Sequence, residues 1–238
     1  MVSTETDGNG HVQKFAYTPS GNISTQTMKD GTVITYANDV HGRVTSKSTG
    51  SQSVSYTYDN NGNTLSVSTA SDTLSKTYDA FGRVTSKSET GTGTVRYTYD
   101  ITEGLASGYH AQTSTDKDGI TITDVYDRSS RLSSVMKNGT AAVTYTYLAN
   151  GSLSQTDLPN GANAKYTYDK AGRLTSLINT DASGKAVNSY AYTYDRAGNM
   201  LTKADGTSVT TYSYDNENRL IHVVYPGSDS VSYEYDGS

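Results

Sequence analysis

Apolar and polar residues alternate along this chain with a period of two. Counting back by twos from Tyr58 gives Tyr56 and Val54, and from Tyr99 gives Tyr97 and Val95. The same count gives Tyr145 and Val143 from Tyr147, Tyr192 and Tyr190 from Tyr194, and Tyr233 and Val231 from Tyr235. The positions between are small and polar, as in Thr57-Ser55-Ser53, or mixed, as in Thr98-Arg96-Thr94. Such alternation predicts β-strands with one packed face and one face of hydroxyls. No segment sustains a 3.6-residue apolar spacing, so essentially no helix is expected.

The strands recur at a fixed interval. Tyr-Thr-Tyr-Asp stands at Tyr56–Asp59, Tyr97–Asp100, Tyr166–Asp169 and Tyr192–Asp195, with looser copies ending at Asp79, Asp127, Asp215 and Asp236. The second aromatic positions fall at 17, 38, 58, 78, 99, 126, 147, 168, 194, 214 and 235, a period of 20 or 21 residues broken twice by longer steps. A period of this kind marks a repeat architecture. Asp-x-x-Gly follows the tyrosine in Asp39–Gly42, Asp59–Gly62, Asp79–Gly82, Asp169–Gly172 and Asp195–Gly198. Asp suits the start of a type I turn, and Gly suits the left-handed residue that closes it into a hairpin. Asn218 replaces that Gly in one copy, and Ser130 replaces it in another, where a less ideal turn is expected. A second turn signal lies midway, for example Asp30-Gly31, Asn138-Gly139 and Asn160-Gly161. Two turns per repeat leave two strands of about six residues, so each repeat is a β-hairpin running into the next.

The expected fold is therefore all-β: ten to eleven hairpins forming one long antiparallel meander. Open twisted sheets rarely exceed about ten strands without curling, so a curled or spiralling wall is expected. Residues 1–14 read as a partly ordered lead-in and 15–238 as a single array, cut from a longer one; Gly237-Ser238 is either native or a leftover of cloning. Stability should be a sum of nearest-neighbour terms.

Composition narrows the function. Only 33% of residues are hydrophobic, yet there are 21 Tyr against 2 Phe and no Trp. The tyrosines recur in register, which argues against disorder. Net charge is −5, with no basic patch, so nucleic acid is not an expected partner. The absence of cysteine excludes disulfides and thiolate chemistry. No apolar run approaches the length of a membrane helix, and the first ten residues lack the pattern of a signal peptide.

No catalytic, cofactor or metal constellation emerges. One carboxylate per turn is too few for calcium, and His11, His41, His110 and His222 are far apart. Arg43, Arg83, Arg131, Arg173 and Arg219 follow the turn and are expected to lie over tyrosine rings or to pair with the turn Asp, rather than to bind anions. The two long repeats carry extra residues around 101–110 and 179–188, which are expected to form loops on the rim. Tyr109, His110 and Tyr190 are the candidate ligand contacts there. The repeated motif itself comprises Tyr58, Asp59, Gly62, Tyr78, Asp79, Gly82, Arg83, Tyr168, Asp169, Gly172, Arg173, Tyr194, Asp195 and Gly198.

Tyr166-Thr-Tyr-Asp-Lys-Ala-Gly-Arg-Leu174 and its copies resemble the Rhs/YD-repeat family, which includes bacterial Rhs and wall-associated toxins, the C component of Tc toxins, and teneurins. The resemblance implies a β-sheet spiralling into a hollow shell, which in the toxins encloses a C-terminal toxin domain. It implies a secreted or surface protein, bacterial by preference, with no enzymatic role. The self-cleavage motif of the toxins contains Asp-Pro, which is missing here, so no cleavage is carried over. The expected function is a structural wall segment whose partners are neighbouring repeats and an encapsulated toxin domain. The alternatives are a glycan- or protein-binding module that uses its tyrosine faces or long loops, and a filament joined through free edge strands.

Overall fold

The computed structural model describes residues 3–236. It contains 22 strands, and among the described residues there is no helix. By backbone contacts the chain divides into two compact units, one running to Tyr99 and including Gln112–Thr121, the other comprising Asp100–Ala111 and the chain from Ile122 onward.

The first unit begins with β1 (Thr4–Thr6), β2 (Val12–Tyr17), β3 (Ile23–Thr27), β4 (Val33–Asn38) and β5 (Val44–Thr49). It continues with β6 (Gln52–Tyr58), β7 (Thr64–Ser68), β8 (Thr73–Tyr78), β9 (Val84–Glu89) and β10 (Gly93–Ile101), the last up to Tyr99. From β1 to β10 each strand pairs antiparallel with the next. β1 and β2 are joined by Asp7–His11, in which Asp7 N–H bonds the His11 carbonyl at 3.1 Å, the closure used by later repeats.

Next in the chain come β11 (His110–Thr115), which the unit boundary divides after Ala111, and β12 (Thr121–Tyr126), which enters the second unit at Ile122. The second unit continues with β13 (Leu132–Lys137), β14 (Thr140–Tyr147), β15 (Leu153–Asp157), β16 (Asn163–Tyr168) and β17 (Leu174–Thr180). It ends with β18 (Ala186–Tyr194), β19 (Met200–Asp205), β20 (Ser208–Tyr214), β21 (Leu220–Val224) and β22 (Ser230–Ser232). From β12 on, the pairing is again antiparallel between sequence neighbours.

One irregularity recurs from one tyrosine-side turn to the next. The ladder shifts by one residue between Thr57 and Tyr58, and likewise at Thr77/Tyr78, Thr146/Tyr147, Thr167/Tyr168 and Thr193/Tyr194. The cause is the turn. Asp59 N–H bonds the Asn63 carbonyl at 3.0 Å, Gly62 N–H bonds the Asp59 carbonyl at 3.2 Å, and Gly62 has φ 91°. This is a type I turn followed by a left-handed bulge residue, which bends and twists the pair.

The tyrosine-bearing strands alternate in burial: in β6, Val54, Tyr56 and Tyr58 are half-buried while Ser53, Ser55 and Thr57 are exposed; the return strands β3, β7 and β15 are half-buried at every position. No thick core forms. Among the described residues only Ala111, Val125 and Val223 are buried apolar residues, and no large side chain is fully buried.

One expectation needs correction. The extra residues at 179–188 are not a loop. They lengthen β17 and β18 to 7 and 9 residues, with Asn179 paired to Asn188, and only Asp181–Lys185 turns. Thr180 pairs with Ala186, leaving Val187 as the bulge residue between the two pairs, and extending the ladder is cheaper than leaving the backbone unpaired. The Ser130 turn also keeps the standard closure, with Asp127 N–H to Arg131 carbonyl at 2.9 Å and Ser130 N–H to Asp127 carbonyl at 2.9 Å. The cost appears as a serine at φ 57°. The other extra stretch, around 101–110, does turn outside the strands: Leu105 N–H bonds the Thr102 carbonyl at 3.3 Å and Tyr109 N–H bonds the Ala106 carbonyl at 2.9 Å. Gly237 and Ser238 lie outside the described residues.

Candidate functional site

The chemistry of this chain is concentrated in a cell repeated at the tyrosine-side turns. It starts with the turn carboxylate. Asp79 Oδ1 accepts the backbone N–H groups of Phe81 and Arg83 at 2.9 and 3.0 Å. Asp39, Asp127, Asp169 and Asp215 accept the equivalent pair. The second oxygen takes the Arg four residues on, with Nε–Oδ2 distances of 2.7 Å at Arg43, 2.8 Å at Arg83, 2.8 Å at Arg131, 2.7 Å at Arg173 and 2.6 Å at Arg219. In the 59 and 195 turns an asparagine substitutes: Asn63 and Asn199 Nδ2 donate to Asp59 and Asp195 at 2.9 Å.

Each arginine then reaches the next repeat. Its guanidinium carbon lies 4.7 Å from the ring centre of Tyr58 for Arg43, 4.5 Å from Tyr99 for Arg83 and 4.6 Å from Tyr147 for Arg131. Arg173 lies 4.9 Å from Tyr194, and Arg219 4.8 Å from Tyr235. Arg43 and Arg173 also donate to the carbonyls of the next turn residues, Asp59 at 2.8 Å and Asp195 at 2.6 Å. A cation over an aromatic face, with its carboxylate beside it, stabilises both the turn and the junction to the next hairpin.

The tyrosine returns a bond. Tyr58 OH donates to the Val44 carbonyl at 2.7 Å, Tyr78 to Thr64 at 2.8 Å, Tyr99 to Val84 at 2.7 Å, and Tyr147 to Leu132 at 2.7 Å. Tyr168, Tyr194 and Tyr235 do the same to Leu153, Leu174 and Leu220. Where the chain has Asn38 instead of tyrosine, Asn38 Nδ2 donates to the Ile23 carbonyl at 3.1 Å. The position demands a donor. The signal was present in the sequence, because ten of the eleven second-aromatic positions are Tyr and none is Phe.

Electrostatics follow this geometry. At Asp127 the Arg131 guanidinium, and then the Arg131 backbone N–H, hold the carboxyl below the usual carboxylate range. At Asp59 the Asn63 amide does so first. At Asp79 partial burial pushes the carboxyl up, but the Arg83 backbone and side chain outweigh it. Burial pushes the phenols of Tyr147 and Tyr194 above their usual range.

The candidate ligand contacts do not converge. His110 stacks on Tyr126, with ring centres 5.2 Å apart and planes at 14°. Tyr109 is half-buried beside it at the end of the 102–109 segment, which Arg128 Nε fastens by donating to the Ser107 carbonyl at 2.7 Å. Tyr190 sits in β18, with Lys203 Nζ 5.6 Å from its ring centre. From β12, which carries Tyr126, to β18 is six strand steps, roughly 29 Å. Among the described residues no group of three or more His, Asp or Glu side chains could hold a metal.

The Teneurin YD-shell family matches residues 6–117, and the RHS Repeat family matches 147–183 and 168–208. Among solved structures, the crystal structure of TcdB2-TccC3-Cdc42 superposes with a TM-score of 0.66 at 17% identity, covering 93% of this chain and 13% of that one. The chain thus spans a small part of that protein's length, and at this identity the likeness is one of fold. The Photorhabdus luminescens Tc holotoxin pore gives a TM-score of 0.42 at 15% identity, covering 93% of this chain and 16% of that one. No curated protein matches the chain.

Proposed function

This chain belongs to the Rhs/YD-repeat family, and from that premise we propose that it is a non-enzymatic wall segment of a larger secreted or surface-displayed shell. The observation that carries this reading is the use of the repeated polar groups. Each Asp, Arg and Tyr of the motif is engaged within its turn or with the adjacent hairpin, as at Asp169, Arg173 and Tyr194. Residues held this way stabilise a sheet and are not free to act on a substrate. In a larger shell the space behind such a wall would hold a cargo such as a toxin domain. Among the described residues no helix is long and apolar enough to cross a membrane.

The partners of a wall segment are further strands. Tyr233 and Tyr235 beside β22 are 41% and 46% exposed, whereas Tyr192 and Tyr194, at the equivalent positions of β18, are half-buried. A strand added along β22 would cover the outer pair. Light scattering after size exclusion, over a wide concentration range, tests this. Mass that grows with concentration, and that falls back to monomer in Val231→Lys, supports edge joining. A 25.5 kDa species at every concentration contradicts it. A glycan that raises the melting temperature saturably, and loses its effect in His110→Ala or Tyr190→Ala, would favour a binding module instead.

A further inference from the structure

Strand β14 is taller than its neighbour. Its ladder with β15 begins at Thr144 and Asp157, so Thr140–Val143 have no strand on that side. They are tied to β13 alone, through Lys137–Thr140, Met136–Ala141 and Val135–Val143. The chain could not fill the gap, because β15 ends at Asp157 and turns at once through Leu158-Pro159. Leu158 N–H bonds the Ala162 carbonyl at 2.9 Å, and Pro159 has no N–H to offer. Thr140, Ala141 and Ala142 are exposed, and the outward backbone groups of this stretch face solvent.

A pocket opens at the foot of this edge. It has a volume of about 130 Å³ and is lined by Ala141, Val143, Thr144, Asp157, Leu158 and Pro159. A cavity of ~150 Å³ accommodates a benzene ring, so this one is of a size for an aliphatic side chain. Its single charged wall residue is Asp157, whose Oδ1 accepts the Gln155 amide at 2.6 Å.

We propose that the open edge of β14 at Thr140–Val143 is a docking site for an extended peptide that adds as a strand, seats an aliphatic side chain between Val143 and Leu158, and places a cationic residue near Asp157. An edge of unpaired backbone selects an extended chain over a compact ligand, because only a strand can satisfy successive N–H and C=O groups. The pocket supplies the side-chain preference and Asp157 the charge preference. A second overhang, of β18 beyond its ladder with β19 at Ala186–Asn188, leaves Val187 66% exposed. The proposal stands on this local geometry and does not depend on the wall reading.

The test is an amide NMR titration of the whole chain with a capped hexapeptide of alternating valine and threonine ending in lysine. A second peptide of the same sequence, N-methylated at alternate residues, cannot pair with an edge. The expected result is a set of shifts confined to Thr140–Thr144, Leu158 and Asn160, with the methylated peptide weaker by at least about tenfold. Ala141→Lys, which leaves the hairpin turn intact, and Leu158→Ala should each weaken binding of the unmodified peptide. Equal binding of both peptides, shifts confined to β1 and β22, or no shifts at saturating peptide would overturn the proposal.

Discussion

At the residue scale, the cell is decided by hydrogen-bond capacity. Tyr147→Phe keeps the ring under Arg131 but leaves the Leu132 carbonyl without its donor. We expect a loss of about 1–2 kcal/mol, read from urea denaturation. Ser130→Gly should act in the other direction. It relieves a non-glycine residue at φ 57°, worth ~1–2 kcal/mol, against the larger unfolded-state entropy of glycine, for a net gain of about 0.5–1 kcal/mol. A variant less stable than the parent would show that Ser130 holds its conformation through a side-chain bond. Much of this was readable in the sequence: Asp, Arg and Gly at fixed offsets mark the turn, and the expectation that Arg lies over Tyr or pairs with Asp is met by both at once. That this position calls for a donor was readable from ten tyrosines and no phenylalanine, but which carbonyl of the preceding repeat the hydroxyl reaches was not. It depends on how far the bulge swings the ring, and one-dimensional spacing does not carry that angle.

At the element scale, the period-two pattern and the two turn signals per repeat predict hairpins, and the structure is built of them. The pattern failed at 179–188, because asparagines such as Asn179 and Asn188 look like loop until they face one another across a ladder. Their pairing makes β17 and β18 the centre of the second unit, flanked on both sides by full ladders with β16 and β19. β1 and β22 have three residues each and a partner on one side only. Hydrogen exchange should therefore be slowest in β16–β18 and fastest in β1 and β22. Uniform protection across all strands would argue that the array opens only as a whole, and that nearest-neighbour accounting does not apply.

At the scale of the whole molecule, the missing core shifts the burden of stability to the repeated cells. Ten described aspartates, Asp7, Asp30, Asp39, Asp59, Asp79, Asp127, Asp169, Asp181, Asp195 and Asp215, have carboxyls below the usual range. Groups whose pKa is depressed on folding contribute stability that is present above the unfolded value, ~3.9, and lost as pH falls through the folded one. The phenols of Tyr147, Tyr194 and Tyr214 are raised by burial, so their contribution is complete below ~10 and lost as pH rises through the folded values. Thermal unfolding against pH should show a plateau between these limits with a fall on each side. A maximum in the acid range would contradict the assignment. The central claim is that the cell couples one hairpin to the next, and a double-mutant cycle on Arg131→Ala and Tyr147→Leu tests it most directly. The account predicts a coupling energy of about 1 kcal/mol between them, with near-additivity for Arg131→Ala combined with Tyr194→Leu. Additivity in both cycles, with little loss of stability from Arg131→Ala, would mean that the arginines are free for another task and that the wall is held by something else.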